Sequence, residues 1–345
     1  MPEVWFAVPG DLATLTGGYI YARRVMAVLP AAGWTPHHVV LPYGYPNPSD
    51  TDLAETRRIL KALPAKAVVI IDGLAYSAMT PEVIKDLDIT IVALVHHPLA
   101  LESGLAPVRA RALHASEQAM LALCKTVIVP SASTAETLAA DYDVARTRIV
   151  VAEPGTDPGV RAVGTGSAPR LLTVATITPR KGHDVLMDAF AEIRDLAWHS
   201  ELVGSTTRDP AMMQTVQALI AKHDLAGRVV FSDELTDEAL TGAYMGSDVF
   251  VLPSRHEGYG MAFAEALAHG LPVIACDAGA VRNTVPAEAS ILVLPDDPKA
   301  LAGALRRVLT DSTLRQRLGD AAWAYGQKLP TWNDTAAAVT RALSL

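Results

Sequence analysis

The stretch PSRHEGYGMAFAEALAHGLPVIACDAG, from Pro253 to Gly279, decides how the chain is read. It follows DVFVLP, an apolar, β-branched run that reads as a buried parallel strand stopped by Pro253 and Ser254. Ala262 to His269 are good helix formers, Gly270 stands at the C-cap position, and PVIAC is the next buried strand. Gly258 and Gly260 therefore lie between the carboxyl end of a strand and the amino end of a helix. The first amides of a helix are unpaired and carry about half a positive charge, and glycine lets an anion approach the main chain. The amides of Gly260 and Met261 are expected to face a phosphate.

Two carboxylates flank this cradle. Glu257 precedes the helix, where a carboxylate repels phosphate but accepts hydrogen bonds from the vicinal hydroxyls of a sugar. Glu265 lies about one turn into the helix and leans back toward its amino end, within reach of hydroxyls on the other side of the ligand. Taken singly, Glu257 reads equally well as a helix-start carboxylate favoured by the dipole, and Glu265 as an exposed helix residue. Taken together with the glycine spacing, the pair describes a nucleotide-sugar site.

EGYGMAFAE, from Glu257 to Glu265, resembles the E-x7-E motif of the retaining glycosyltransferases of family 4. Members of that family have the GT-B fold, two Rossmann-like doubly wound parallel-sheet domains facing across a cleft. The resemblance implies that Glu257 contacts the donor sugar, that Gly260 and Met261 hold the distal phosphate, with Gly258 also among the donor-binding residues, and that Glu265 binds the ribose.

Length and composition agree with two globular domains. The chain has 345 residues, half of them hydrophobic, and a domain takes roughly 150. A net charge of -8 supplies no basic face for a nucleic acid. The two cysteines, Cys124 and Cys276, are isolated in apolar surroundings and read as buried thiols of a reducing compartment. MPEVWFAVPG reads as a first strand rather than a signal peptide, and no run approaches the roughly 20 apolar residues of a membrane span. The expectation is a cytoplasmic protein.

In the first half, VWFAVP, HHVVLP, AVVIIDG, TIVALVHH and TVIVPS are strand-like, alternating with helical segments Gly18 to Ala32, Asp50 to Leu63, Pro81 to Leu87 and Pro107 to Leu123. Such alternation builds βαβ units around a parallel sheet. Gly17 and Gly18 end the loop after the first strand; alone they read as a flexible turn, and the resemblance implies close approach to the donor phosphate and the acceptor. His96 and His97 follow the fourth run, at the carboxyl end of a strand, where open α/β sheets bind ligands. The resemblance favours His96 as the residue near the donor sugar, with His97 and Glu102 offered to the acceptor.

IVVAEPG closes a first domain of residues 1–155. The segment from Pro154 to Pro169 is rich in glycine and proline and reads as the interdomain linker. Its GTG neither follows a strand in the required way nor opens a helix, so it is no dinucleotide fingerprint. A second domain, residues 170–328, repeats the alternation with LLTVATI, SELVGS, VVFSD, DVFVLPS, PVIACD and ILVLP. TITPRKGHDVLMDAF resembles the family's diphosphate-binding element, which implies that Lys181 neutralises the leaving diphosphate. The family's usual arginine five positions earlier is Thr176 here, and Arg180 is the candidate substitute. The family contacts the base through backbone groups in the segment Ser232 to Leu235, which assigns Leu235 to the base. A glutamate common after PVIACDAG is Asn283 here. LPTWNDTAAAVTRAL, with Trp332, resembles the terminal helix, residues 331–345, that rejoins the first domain.

The activity implied is metal-independent transfer of a hexose from a UDP- or GDP-sugar to a hydroxyl of a small-molecule, saccharide or lipid acceptor, with no bound cofactor. A nucleotide-sugar 2-epimerase of the same fold and a non-catalytic nucleotide-sugar-binding protein are the rival readings. A phosphorylase of this fold would need pyridoxal phosphate and a much longer chain. Asp50-Asp52 and Asp86-Asp88 spell the D-x-D of metal-dependent transferases, but Asp50 reads as the cap of the next helix with Asp52 in its first turn, and Asp86 and Asp88 as a solvated turn. Arg23 and Arg24 are an isolated basic pair, so peripheral contact with anionic lipid is not favoured.

Overall fold

The computed structural model describes residues 1–165 and 168–345. Two units emerge, Met1–Gly155 with Pro330–Leu345, and Thr156–Leu329. Each is built on a six-stranded, wholly parallel sheet.

The first unit holds strands β1 (Glu3–Pro9), β2 (Thr35–Leu41), β3 (Ala67–Asp72), β4 (Ile89–Leu94), β5 (Thr126–Val129) and β6 (Ile149–Val151), ordered β2-β1-β3-β4-β5-β6. Its helices are α1 (Gly17–Val28), α2 (Asp50–Lys61), α3 (Gly73–Tyr76), α4 (Pro81–Ile84), α5 (Pro107–Leu123) and α6 (Ala132–Asp141). The second unit holds β7 (Arg170–Val174), β8 (His199–Val203), β9 (Val229–Phe231), β10 (Val249–Leu252), β11 (Val273–Cys276) and β12 (Ser290–Val293), ordered β12-β11-β10-β7-β8-β9. Between its strands run α7 (His183–Ala191), α8 (Pro210–Lys222), α9 (Asp237–Met245), α10 (Met261–Ala268) and α11 (Val281–Thr284), followed by α12 (Pro298–Thr310) and α13 (Ser312–Gly326). The final helix, α14 (Trp332–Ser344), belongs to the first unit.

Central strands such as Val249–Leu252 and Val273–Cys276 are buried at every position. This is why they read as continuous apolar runs: helices cover both faces of a parallel sheet. In the second unit one face packs Leu171, Phe190, Trp198 and Val251, and the other packs Leu172, Phe250, Phe263 and Val273. The strand orders place a switch point in each sheet, between β1 and β3 in the first and between β7 and β10 in the second. Ligand-binding loops gather outside the carboxyl ends of the strands at such points.

Two local expectations need correction. Asp50 is not the cap of α2. Ser49 is, with its hydroxyl accepting from the Asp52 amide while the Asp52 carboxylate accepts from the Ser49 amide at 2.8 Å, a reciprocal capping box. The segment Pro154 to Pro169 is also less of a free linker than its composition suggests. The Ala162 amide donates to the His269 carbonyl, and the Thr165 hydroxyl donates to Asp248 at 2.7 Å, so much of it is fastened within the second unit. Residues 166 and 167 of that segment lie outside the described residues.

The terminal helix is fixed by a second capping box, Thr331 with Asp334, and by the Thr335 hydroxyl donating to the Glu153 carbonyl at 2.7 Å. Trp332 is buried edge-on to Tyr21, with Arg24 5.8 Å above its ring. Trp332→Ala should therefore destabilise the first unit by about 3–5 kcal/mol. Hydrogen exchange is the measurement, with protection lost in β5 and β6 and retained in β10 and β11.

Candidate donor site and the loops that build it

In the second unit, the loops after β7 and β10 meet at the switch point. Gly182 has φ +69 and lies so close to Pro253 that a Cβ would collide with the Pro253 carbonyl oxygen. Glycine is needed there for both reasons. Gly279, at φ +61, makes the same kind of close approach to the Glu257 backbone, and the Ala280 amide donates to the Glu257 carbonyl at 2.8 Å.

These approaches deliver Lys181 and Arg180 to Glu257. Glu257 is only 4% exposed. Its Oε1 accepts from Lys181 Nζ at 2.7 Å and from the buried Ser254 hydroxyl at 2.6 Å, while Arg180 Nη1 lies 3.4 Å from Oε2 and donates to the His256 carbonyl at 3.0 Å. Burial pushes the Glu257 carboxyl up, but Lys181 and Arg180 more than offset it and hold the group down to about 2. His183, the first residue of α7, is pushed down to about 4 by burial and then by Lys181, so the lysine and arginine carry the positive charge here.

Arg255 ties the surrounding loops together. Its amide donates to the Arg180 carbonyl at 2.8 Å and its Nη1 reaches the Pro179 carbonyl. The guanidinium also grips Asp184 in a two-pronged pair at 3.0 and 2.7 Å, and its Nε donates to Asp296 at 2.7 Å. The sequence alone does not single out Arg255, Asp184 or Ser254. Their partners are distant in the chain, and the readable signal was no more than an arginine beside a motif.

Gly260 takes φ +91 at the start of α10, and no side chain caps that end of the helix. Gly258 is buried, and Met261 is the first helical residue. Uncapped helix amides of this kind can receive an anion, and Lys181 and Arg180 meet Glu257 three residues before Gly260. Glu265 faces a different neighbour: the buried Tyr244 hydroxyl donates to its Oε2 at 2.8 Å. Leu235, partly buried, packs with the cluster containing Tyr244 and Phe250, which commits its side chain to the core.

In the first unit, the structure brings Gly18 and His96 together: a Cβ at Gly18 would come within 3.1 Å of His96 Cδ2. Gly17 opens α1 beside it. His96 is edge-on to Tyr21, and its Nε2 lies 3.6 Å from Oδ2 of Asp72, a buried residue that ends β3 and caps α3. The signal for Asp72 in the sequence is a lone acid closing an apolar strand. His97 Nε2 lies 3.9 Å from Glu102 Oε2, and the turn between them is held by buried Glu117, which accepts from the amides of Leu99 and Ala100 at 2.8 and 3.0 Å. Among the described residues, no three His, Cys, Asp or Glu side chains converge as a metal requires.

Two Rossmann-like units with loops gathered at their switch points define a GT-B fold. Residues 17–160 match the family described as Glycosyltransferase Family 4, and residues 168–311 match Glycosyl transferases group 1. The chain belongs to glycosyltransferase family 4. It is 32% identical over 183 residues to a D-inositol 3-phosphate glycosyltransferase of Jonesia denitrificans, covering 50% of this chain and 43% of the relative. It is 26% identical over 310 residues to an MMP alpha-(1->4)-mannosyltransferase of Mycolicibacterium hassiacum, covering 85% of this chain and 74% of that one. The match thus spans less than half the length of the Jonesia relative. Among solved structures, sucrose-phosphate synthase from Thermosynechococcus elongatus superposes with a TM-score of 0.84 at 24% identity, covering 99% of this chain and 98% of that one. Anabaena HepE in complex with UDP-glucose gives 0.80 at 14%, covering 99% of each. At those identities the likeness concerns the fold.

Glu257 carries a stability signature that can be measured. Its folded value of about 2 lies below the roughly 4.3 of an unconstrained glutamate, so the carboxylate's contribution is complete above about pH 4.3 and is lost as pH falls toward 2. Glu257→Gln should be less stable than wild type at neutral pH, and the two melting temperatures should converge as the solution is acidified through that window.

Proposed function

We propose that the protein is a retaining, metal-independent hexosyltransferase that moves a hexose from a UDP- or GDP-sugar to a hydroxyl of a small-molecule or saccharide acceptor. The observation that carries this reading is the meeting of Lys181 and Arg180 on Glu257 beside the uncapped start of α10. Two relatives are named for transfer to a phosphorylated inositol and for mannosyl transfer, and a structural neighbour holds UDP-glucose.

As the bond to the diphosphate breaks, negative charge grows on the leaving oxygens while the sugar becomes oxocarbenium-like. Lys181, Arg180 and the amides of Gly260 and Met261 are assigned to that charge, which fixed donors stabilise without reorganising. Their positive charge does the work a metal does in other transferases. Glu257 holds the lysine and takes sugar hydroxyls, Glu265 takes the ribose, and backbone near Leu235 takes the base. In the first unit, Gly17, Gly18 and His96 are assigned to the donor sugar and incoming acceptor, with His97 and Glu102 on the acceptor side. The departing phosphate assists attack from the same face, which keeps the anomeric configuration. Both cysteines are free and buried, in keeping with a cytoplasmic location.

Arg23 donates to the Leu12 and Thr14 carbonyls and Arg24 lies over Trp332. The basic pair is thus spent inside its own unit. No helix of the described residues is long and apolar enough to cross a membrane. The protein should stay in the supernatant when anionic vesicles are sedimented; co-sedimentation would point to a lipid acceptor.

Product analysis by mass spectrometry, with a panel of nucleotide sugars and acceptors, tests the activity. Glycosylated acceptor with retained configuration is expected, and free sugar product without any acceptor would favour epimerisation. Lys181→Ala and Glu257→Ala should each fold and lose at least about 10²–10³ in kcat. EDTA should leave turnover unchanged; loss restored by Mn²⁺ would overturn the metal-independent reading.

A further inference from the structure

Glu265 alone is poorly suited to reading a ribose. A glutamate on a helix surface has several rotatable bonds, and fixing such a side chain costs rotamer freedom. The structure supplies a group that fixes it. Tyr244, on α9, is buried, and its hydroxyl donates to Glu265 Oε2 at 2.8 Å, with the Ala262 carbonyl more distant at 3.4 Å. The ring has little freedom of its own. It stacks on His269 with centroids 5.1 Å apart and planes 7° from parallel, and lies 6.1 Å from Phe250.

His269 is in turn pinned. Its Nδ1 pairs with the Val160 carbonyl at 2.7 Å; a carbonyl only accepts, so Nδ1 carries the proton. The chain of contacts runs from the Val160 main chain through two stacked rings to the carboxylate. Burial and the adjacent carboxylate hold the Tyr244 phenol well above the ordinary tyrosine range, so the hydroxyl remains a donor across working pH. α9 begins at Asp237, directly after Leu235 and its capping neighbour Thr236, so one helix joins the segment assigned to the base with the group holding the ribose acid.

We propose that Tyr244 is a positioning residue for donor recognition, whose hydroxyl fixes the Glu265 carboxylate in the orientation that accepts the ribose hydroxyls. The inference rests on the assignment of Glu265 to the ribose. Tyr244→Phe keeps the ring and its stack and removes the proton that the hydroxyl donates to Oε2.

The test is isothermal titration of wild type, Tyr244→Phe and Glu265→Ala with UDP or GDP, whichever binds wild type more tightly, and with its 2′,3′-dideoxy form. Tyr244→Phe should weaken the ribonucleotide about tenfold while barely changing the dideoxy form, in line with a lost hydrogen bond to a charged group. In steady state, the donor KM should rise more than kcat falls. A lower melting temperature with an unchanged preference for the ribose would mean that Tyr244 is merely structural, and would overturn the proposal. Unchanged preference in Glu265→Ala would remove the ribose assignment itself, and the proposal with it. Preference lost in Glu265→Ala but kept in Tyr244→Phe would leave that assignment standing and defeat the positioning role alone.

Discussion

A carboxylate withdrawn from water must be neutralised where it stands, and Glu257 sets this condition for the second unit. Its oxygens are met by Lys181, Ser254 and Arg180, two of which are more than 70 residues away in sequence. An ion taken out of water costs several kcal/mol unless partners of good geometry surround it. Two loops must therefore be held in fixed register. Adjacency of β7 and β10 brings them together, the absent side chain of Gly182 lets them touch Pro253, and Arg255 fastens them to Asp184 and Asp296. The positive groups proposed for a diphosphate are then held in place by the acid proposed for a sugar.

The first unit solves a related problem with different parts. Asp72 is buried at the end of β3, where one oxygen accepts from the Leu74 amide at 2.9 Å and the other lies near His96. Glu117 is likewise buried, raised by burial, and satisfied by the two amides of the turn after His97. In both cases an acid organises main chain next to a histidine. Gly18 supplies the close approach that packs α1 against His96. These are fixed arrangements of side chain and backbone, of the kind that lets a loop carry chemistry on a rigid sheet.

Legibility followed the range of the interaction. Eleven of the twelve strands were readable as apolar runs, most plainly the central ones such as β10 and β11, where full burial in a parallel sheet leaves no polar position, and α10 was readable from its glycine start and glycine end. Ser49 was missed as the cap of α2 because the acids beside it were stronger signals; a serine one residue earlier, paired with Asp52 three residues later, was the better match to a capping box. The segment after Pro154 looked like a linker by composition, yet its amides and carbonyls find partners at His269 and Asp248, and no local pattern records that.

By itself the sequence determined the βαβ alternation, the glycine loop before α10, and the pairing of Glu257 with Glu265 eight positions on. All of these depend on neighbours within one or two turns of chain, where spacing fixes geometry. Only the tertiary structure decided that Lys181 and Arg180 close on Glu257, that Arg255 joins three loops, and that Tyr244 holds Glu265. Those contacts depend on which strands lie side by side at the switch point, and strand order is set by the packing of the whole sheet rather than by any single stretch of residues.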